Sequence, residues 1–220
     1  AGFAGRSTKR VFDRCVAALD GWLVKINLPT SVANSSSYRT RKGFCAVNCQ
    51  AMCDSERRFL WLDVSFAGGT HDSHAFRNSP LAASIEDAGG LGKYFIVADA
   101  AYALREWLMT PSPASLDDDC DNYNFYQSQC RINIECAFGM LVQRWGIFWR
   151  PLRVDLEKIG LVILACAGLH NFVVDRQCAE YDRYRSARGN FDGGDGDGTV
   201  LLSSDEDYVD IAECVQHVKQ

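Results

Sequence analysis

Residues 18–26 read Ala18-Leu19-Asp20-Gly21-Trp22-Leu23-Val24-Lys25-Ile26, an apolar run of strand length interrupted by one carboxylate. A carboxylate in such a run is costly unless a cation or hydrogen-bond donors meet it. Working outward, FCAVNCQAMCD (44–54) and RFLWLDVSFAG (58–68) are two further apolar runs joined by the polar Asp54-Ser55-Glu56, a hairpin pattern. KYFIVADAAY (93–102) is a short continuous apolar run of the fully buried strand type, and it carries Asp99. Three strands in succession, a helix at 71–87 and another buried strand predict an α/β protein: a mixed sheet flanked by helices.

The remaining elements are read from periodicity and punctuation. The stripe Val11, Cys15, Ala18 predicts a helix over 7–17. Residues 30–42 and 111–124 read as polar loops, the second with the acidic run Asp117-Asp118-Asp119 and Asp121 as solvated surface. Ile134, Phe138, Leu141, Trp145 and Phe148 recur at steps of four and three, predicting a helix from Gln127 to Trp149 that carries Glu135. A second helix, Glu157 to Gln177, is apolar on most sides and is expected to be buried. No apolar run approaches the roughly 18–20 residues of a membrane span. After Arg188 the composition turns to GNFDGGDGDG, so the chain divides into a folded domain, 1–180, and an acidic Gly/Asp-rich flexible tail, 181–220, with a short helix at 207–219. The start at Ala1, without Met, fits a fragment of a longer protein.

The net charge of −5 argues superficially against nucleic acid, but it is unevenly spread. Of 23 basic and 28 acidic residues, one and eight fall in 191–220, leaving 22 against 20 in the body. The body is therefore near neutral and DNA is not excluded. Ten cysteines invite a zinc or disulfide reading. Cys45, Cys49 and Cys53 lie four apart with no CxxC pair, poor zinc spacing, and read as small buried thiols.

Asp20, Asp99 and Glu135 close apolar runs or sit inside a helical one, and a mixed sheet with a covering helix can bring them together. At ~5 Å and an effective dielectric of ~20, each pair of carboxylates costs about 3 kcal/mol. Two divalent cations remove that cost, activate a water and stabilise the leaving oxygen of a phosphodiester; oxygen ligands favour Mg²⁺ or Mn²⁺. Three acids also have a plainer reading. Asp20-Gly21 reads as a turn, Asp72 as a helix N-cap, and Glu135 as the surface ion-pair partner of Arg131 four residues earlier. Asn48 and Gln50 share a strand face that points to the site or to solvent, and His71 and His74 read as structural.

The segments LDGWLVKI, NCQAMCD, FAGGTHDSHAFRNSPL, YFIVADAAYAL and NFYQSQCRINIECAFGMLVQRWGIFWRPL, with the later LHNF, resemble the Harbinger-type transposase-derived nucleases. The likeness runs over roughly residues 15–175. It implies an RNase H-like DDE endonuclease domain with antiparallel first strands and parallel additions. It further implies metal-binding acids at Asp20, Asp72, Asp99 and Glu135, with Asp20, Asp99 and Glu135 catalytic and Mg²⁺ or Mn²⁺ as cofactor. Arg131, Arg144 and Arg150 are candidate DNA contacts. The implied partners are DNA and a separate DNA-binding protein, without a membrane, in the nucleus. One departure is visible: the family's Thr-His after the first Asp-Gly is replaced by Trp22-Leu23. With the family's N-terminal DNA-binding helices missing here, it leaves an inactive domesticated or decayed copy, a DNA- or protein-binding scaffold, as the alternative.

Overall fold

The computed structural model describes residues 2–6, 9–30, 32–113 and 118–188. Five strands, β1 (Cys15–Lys25), β2 (Ala46–Cys53), β3 (Phe59–Ala67), β4 (Phe95–Val97) and β5 (Leu108–Met109), form one sheet in the order β3-β2-β1-β4-β5. β1, β2 and β3 are antiparallel neighbours, and β4 and β5 are parallel additions beyond β1. This is the expected mixed sheet. β1 lies at its centre because its side chains are apolar on both faces.

Those two faces have separate cores. Leu19, Met52 and Ile96 pack against α1 (Asp72–Arg77) and α2 (Pro80–Asp87) through Phe76 and Ile85. Ala18, Val24, Val47, Cys49 and Ala51 pack on the other face against α3 (Asp118–Arg144) and α4 (Leu156–Arg188) through Ile134, Leu141 and Ile163. Side chains alternate along a strand, so Asp20 and Trp22 share the α3 face while Gly21 faces α1. The cysteines follow the same logic. Cys49 and Cys53 are buried on the α3 face, and all nine cysteines among the described residues are free thiols.

Several elements differ from expectation. No helix forms over 7–17 among the described residues: a 3-10 turn, Phe3–Arg6, is followed by irregular chain in which Arg10 and Phe12 take positive φ. The apparent helical stripe is the start of β1. The predicted helix at 71–87 is two helices, broken where Asn78-Ser79-Pro80 ends one and caps the next. Asp118, Asp119 and Asp121 belong to the first turn of α3, which begins nine residues before the expected Gln127. Acids there suit the positive end of the helix dipole. α3 ends at Arg144, and Gly146–Trp149 form a 3-10 turn. α4 runs on to Arg188, past the boundary drawn at 180, while the expected helix at 207–219 lies outside the described residues.

The burial expected of the second helix is half met. Ile159, Ile163, Ala167, His170 and Val174 face the sheet, but Leu161 (67% exposed), Leu164 (48%), Leu169 (52%) and Phe172 (55%) face outward. Leu156–Cys178 is also long and apolar enough to cross a membrane, contrary to the reading of shorter runs. It is nevertheless a core helix on its inner side. His170 is fully buried and engages the Arg57 carbonyl at 2.9 Å through Nε2, and its Nδ1 accepts from Arg144 at 3.0 Å. Asn171 brackets Phe59, donating to its carbonyl and accepting from its N–H, both at 2.8 Å. The LHNF segment therefore pins α4 to the tight turn between β2 and β3. Asp54 closes that turn by accepting from the Glu56 and Arg58 N–H groups.

Candidate metal-binding carboxylate site

The sheet register places two of the four acids side by side. β1 and β4 run parallel with Ala18 opposite Val97. Asp20 and Asp99 each lie two residues further on, Asp20 in the middle of β1 and Asp99 just past the end of the shorter β4. Both are held locally. The Gly21 N–H donates to Asp20 Oδ1 at 2.8 Å, and the Ala101 N–H donates to Asp99 Oδ1 at 2.8 Å. α3 covers this end because Gln127 donates from Nε2 to the Ala98 carbonyl at 2.6 Å and to the Met109 carbonyl at 3.3 Å, tying the helix to both parallel strands.

Asp72 arrives from the opposite face. It is the first residue of α1, whose N-cap is His71, not Asp72: the His71 ring accepts from the Ser73 N–H at 3.4 Å. The Asp72 carboxylate is thus free of the capping role and instead accepts at Oδ1 from Asn48 Nδ2 (2.8 Å) and Gln50 Nε2 (2.9 Å). Both amides are buried. Gln50 is fixed in turn, donating to Asn48 Oδ1 at 2.7 Å and accepting from the Tyr102 hydroxyl at 2.7 Å. Gly21 makes room for all of this. A Cβ added at Gly21 would lie 2.2 Å from Asp72 Oδ1 and 2.8 Å from Gln50 Nε2. Asp20-Gly21 is therefore not a turn. It sits mid-strand, opposite Ala51 and Gln50, and the glycine is the gap into which Asp72 fits.

Electrostatics tie the three aspartates into one neighbourhood. The Asp20 carboxyl is pushed up to about 7, first by burial and then by the negative charges of Asp99 and Asp72; the Gly21 N–H and the Arg131 guanidinium oppose the rise. Burial, with Asp72, Asp20 and Asp99, also pushes the Tyr102 phenol up, so it stays a neutral hydrogen-bond donor.

Glu135 is placed differently. It lies on α3 two turns beyond Gln127, with its carboxylate paired to Arg131 Nη1 and 47% exposed. Arg131 acts on Asp20 and is bonded to Glu135, so a guanidinium links the acid of the sheet to the acid of the helix. Beside it an open groove of about 310 Å³ is lined by Ser128, Gln129, Arg131, Ile132 and Glu135. Arg150 is exposed, whereas Arg144 is turned to His170 and serves the core. Trp22, on the Asp20 face, packs its ring 5.6 Å from Phe138 and 5.0 Å from Phe148.

The donor set fits a hard divalent cation: all the candidate ligands are carboxylate oxygens, and Asp20 is held in a field of like charge that a cation would relieve. Among the described residues, no three Asp, Glu, His or Cys side chains are grouped closely enough to hold a metal ion as they stand. Sequence reasoning missed Tyr102 and Gln127 and left Asn48 and Gln50 undecided. Their alternation on β2 was visible; the Asp72 they hold is 22 and 24 residues away and was not.

A family model described as DDE superfamily endonuclease matches residues 19–171, from beside Asp20 to the end of the α4 anchor. The chain belongs to this family. Among its relatives, "Putative nuclease HARBI1" of Bos taurus is 29% identical over 163 residues, 73% of this chain and 46% of the relative. The Homo sapiens protein of that name is 30% identical over 146 residues, 65% of this chain and 42% of the relative. "Protein ALP1-like" of Arabidopsis thaliana is 25% identical over 182 residues, 74% of this chain and 44% of the relative. The chain thus spans less than half the length of these relatives. No solved structure matches it. The Harbinger-type resemblance and the α/β fold expected from it both hold.

Proposed function

We propose that this DDE endonuclease-family chain is the catalytic domain of a divalent-metal-dependent nuclease that cleaves DNA phosphodiester bonds, with Asp20, Asp99 and Glu135 as catalytic carboxylates and Asp72 as an additional metal ligand. The observation that supports it is the juxtaposition of Asp20, midway along β1, and Asp99, just past the end of the neighbouring β4, under the helix that carries Glu135. Mg²⁺ or Mn²⁺, when bound, supplies Lewis acidity and a nucleophilic water for in-line attack on phosphorus. The chain's own residues do the rest. The Gly21 and Ala101 N–H groups aim the two strand carboxylates, and the Asn48–Gln50–Tyr102 relay holds Asp72. Arg131 balances the acids, and Asp20, Asp72, Asp99 and Glu135 would hold the cation, which would release the Arg131 guanidinium for the DNA backbone. Arg131, beside the groove, and the exposed Arg150 are the candidates for phosphate contacts. Arg144 joins them only at the expense of His170. A separate DNA-binding partner protein and a nuclear setting complete the reading.

The test is nicking of supercoiled plasmid in Mg²⁺ or Mn²⁺ by wild type and Asp99→Asn. Cleavage by the wild type, lost in the variant with its fold intact, supports the assignment; undiminished cleavage by the variant sinks it. A second reading, an inactive scaffold that binds DNA or protein, is favoured by two observations: the Glu135–Arg131 ion pair and the Trp22 ring built into the core. Calorimetric titration with Mn²⁺ separates the two, since a scaffold has no need to bind metal at these acids.

A further inference from the structure

We propose that α4 pairs antiparallel with α4 of a second copy of this chain, through a self-complementary seam from Lys158 to Asp175. The inner side of α4 is fully used by the core. The outer side carries a second apolar stripe, about half a turn away, that nothing among the described residues covers. Its residues recur at steps of three and four: Lys158, Leu161, Ala165, Gly168, Phe172, Asp175, all exposed. That is a helix-pairing seam, and its order reads the same way under a two-fold axis placed between residues 166 and 167.

With that axis, Leu161 meets Phe172 of the second copy and Ala165 meets its Gly168. The small pair sits at the centre, where two backbones must approach most closely, and the large pair fills the layers on either side. At each end Lys158 of one copy meets Asp175 of the other, so the charges complement. Lys158 and Asp175 presently pair within the chain, at 2.7 Å with Asp155 and 3.1 Å with Arg58, yet their side chains are 66% and 55% exposed and can share a further partner. Leu164 and Leu169 flank the seam, and Arg176 covers the outer face of the Phe172 ring at 4.8 Å. The seam is about 26 Å long at 1.5 Å per residue. An interface of that length lies at the small end for specific association, so the dimer is a micromolar one.

Sedimentation velocity on the full chain between about 1 and 200 µM reads the equilibrium. Wild type is expected to shift from monomer to dimer across that range. Gly168→Gln blocks the centre and should weaken the dimer at least tenfold. It leaves the monomer intact, because a Cβ there meets open space, and an unchanged melting temperature checks this. Lys158→Asp and Asp175→Lys should each weaken it several-fold, and the two together should restore it. A wild type that stays monomeric, a Gly168→Gln chain that dimerises as wild type does, or charge swaps without rescue overturns the proposal. So does a wild type that sediments with neutral phosphatidylcholine vesicles and does not dimerise, which would give the stripe to a bilayer.

Discussion

Two polar clusters interrupt the apolar interior of this molecule, and they are built on opposite terms. Around His170 every polar atom of the ring and of Asn171 has a partner: the Arg57 carbonyl, Arg144, and both backbone groups of Phe59. Burial lowers the affinity of the ring for a proton, so it stays neutral. Around Asp20 hydrogen bonds are made as well, but like charges stand together. Three aspartates bear on one another, and one is pushed up to about 7 by burial and by the other two. A satisfied cluster stabilises a fold; one left under repulsion is set up to receive something else. The contrast separates the LHNF segment, which carries part of the family resemblance and is a structural anchor, from the acids, which are the candidate site.

The contrast can be broken or sharpened in four ways, in falling order of effect. Asp99→Asn should reduce Mg²⁺-dependent nicking by on the order of 10³-fold, about 4 kcal/mol of transition-state stabilisation, with the melting temperature level or raised. A drop in stability with activity retained would reverse the roles given to the two clusters. His170→Leu should do the converse. It should cost roughly 2–4 kcal/mol of stability in urea unfolding, since the Arg57 carbonyl and Arg144 lose their partner, while the folded fraction still binds Mn²⁺ in calorimetry.

The third concerns pH. A folded carboxyl raised to about 7 leaves stability fullest below about 4, falling as pH rises through the window to 7 and level above it. A rise from the ordinary 3.8 to about 7 corresponds to about 4 kcal/mol at most, and solvent screening of the partly exposed carboxyl brings the expected loss to roughly 2 kcal/mol without metal. Asp20→Asn should flatten the profile between pH 4 and 7, and a profile unchanged by the substitution would remove Asp20 from the repelling group. The fourth and smallest is Arg131→Gln, a change of less than about 1 kcal/mol in metal-free stability. Removing the guanidinium removes a charge that lowers the Asp20 carboxyl, so the pH window should move upward. Mn²⁺ affinity that fell in this variant would argue that Arg131 does not compete with metal.

Much of this was legible in the chain. The two apolar runs 44–54 and 58–68 with the polar turn between them predicted β2 and β3, and the apolar run ending at Asp99 predicted β4, because apolar runs and turn residues are local properties of the chain. The pairing of Asp20 with Asp99 followed from a mixed sheet. What was hidden is long-range or short in length. β5 is two residues and has no pattern. The false helix at 7–17 arose because Val11, Cys15 and Ala18 satisfy a helical step while Arg10 and Phe12 adopt positive φ. The outer stripe of α4 read as buried because apolar composition does not distinguish a core face from an exposed one. The relay from Tyr102 through Gln50 to Asp72 spans three separate segments, and no local pattern announces it.

The gap at Gly21 binds the fate of two distant positions together. While Asp72 keeps its place, residue 21 has no freedom to gain even a methyl group, since the added carbon would overlap the carboxylate at 2.2 Å. Were Asp72 shortened to glycine, the tightest overlap would go, and only the Gln50 amide, 2.8 Å from the added carbon, would still have to give way. Change at either position therefore alters what is permitted at the other, and their effects cannot add. Drift in descendants of this chain should touch Gly21 only after Asp72 has gone, so a copy that has left its ancestral chemistry would record the event first at position 72.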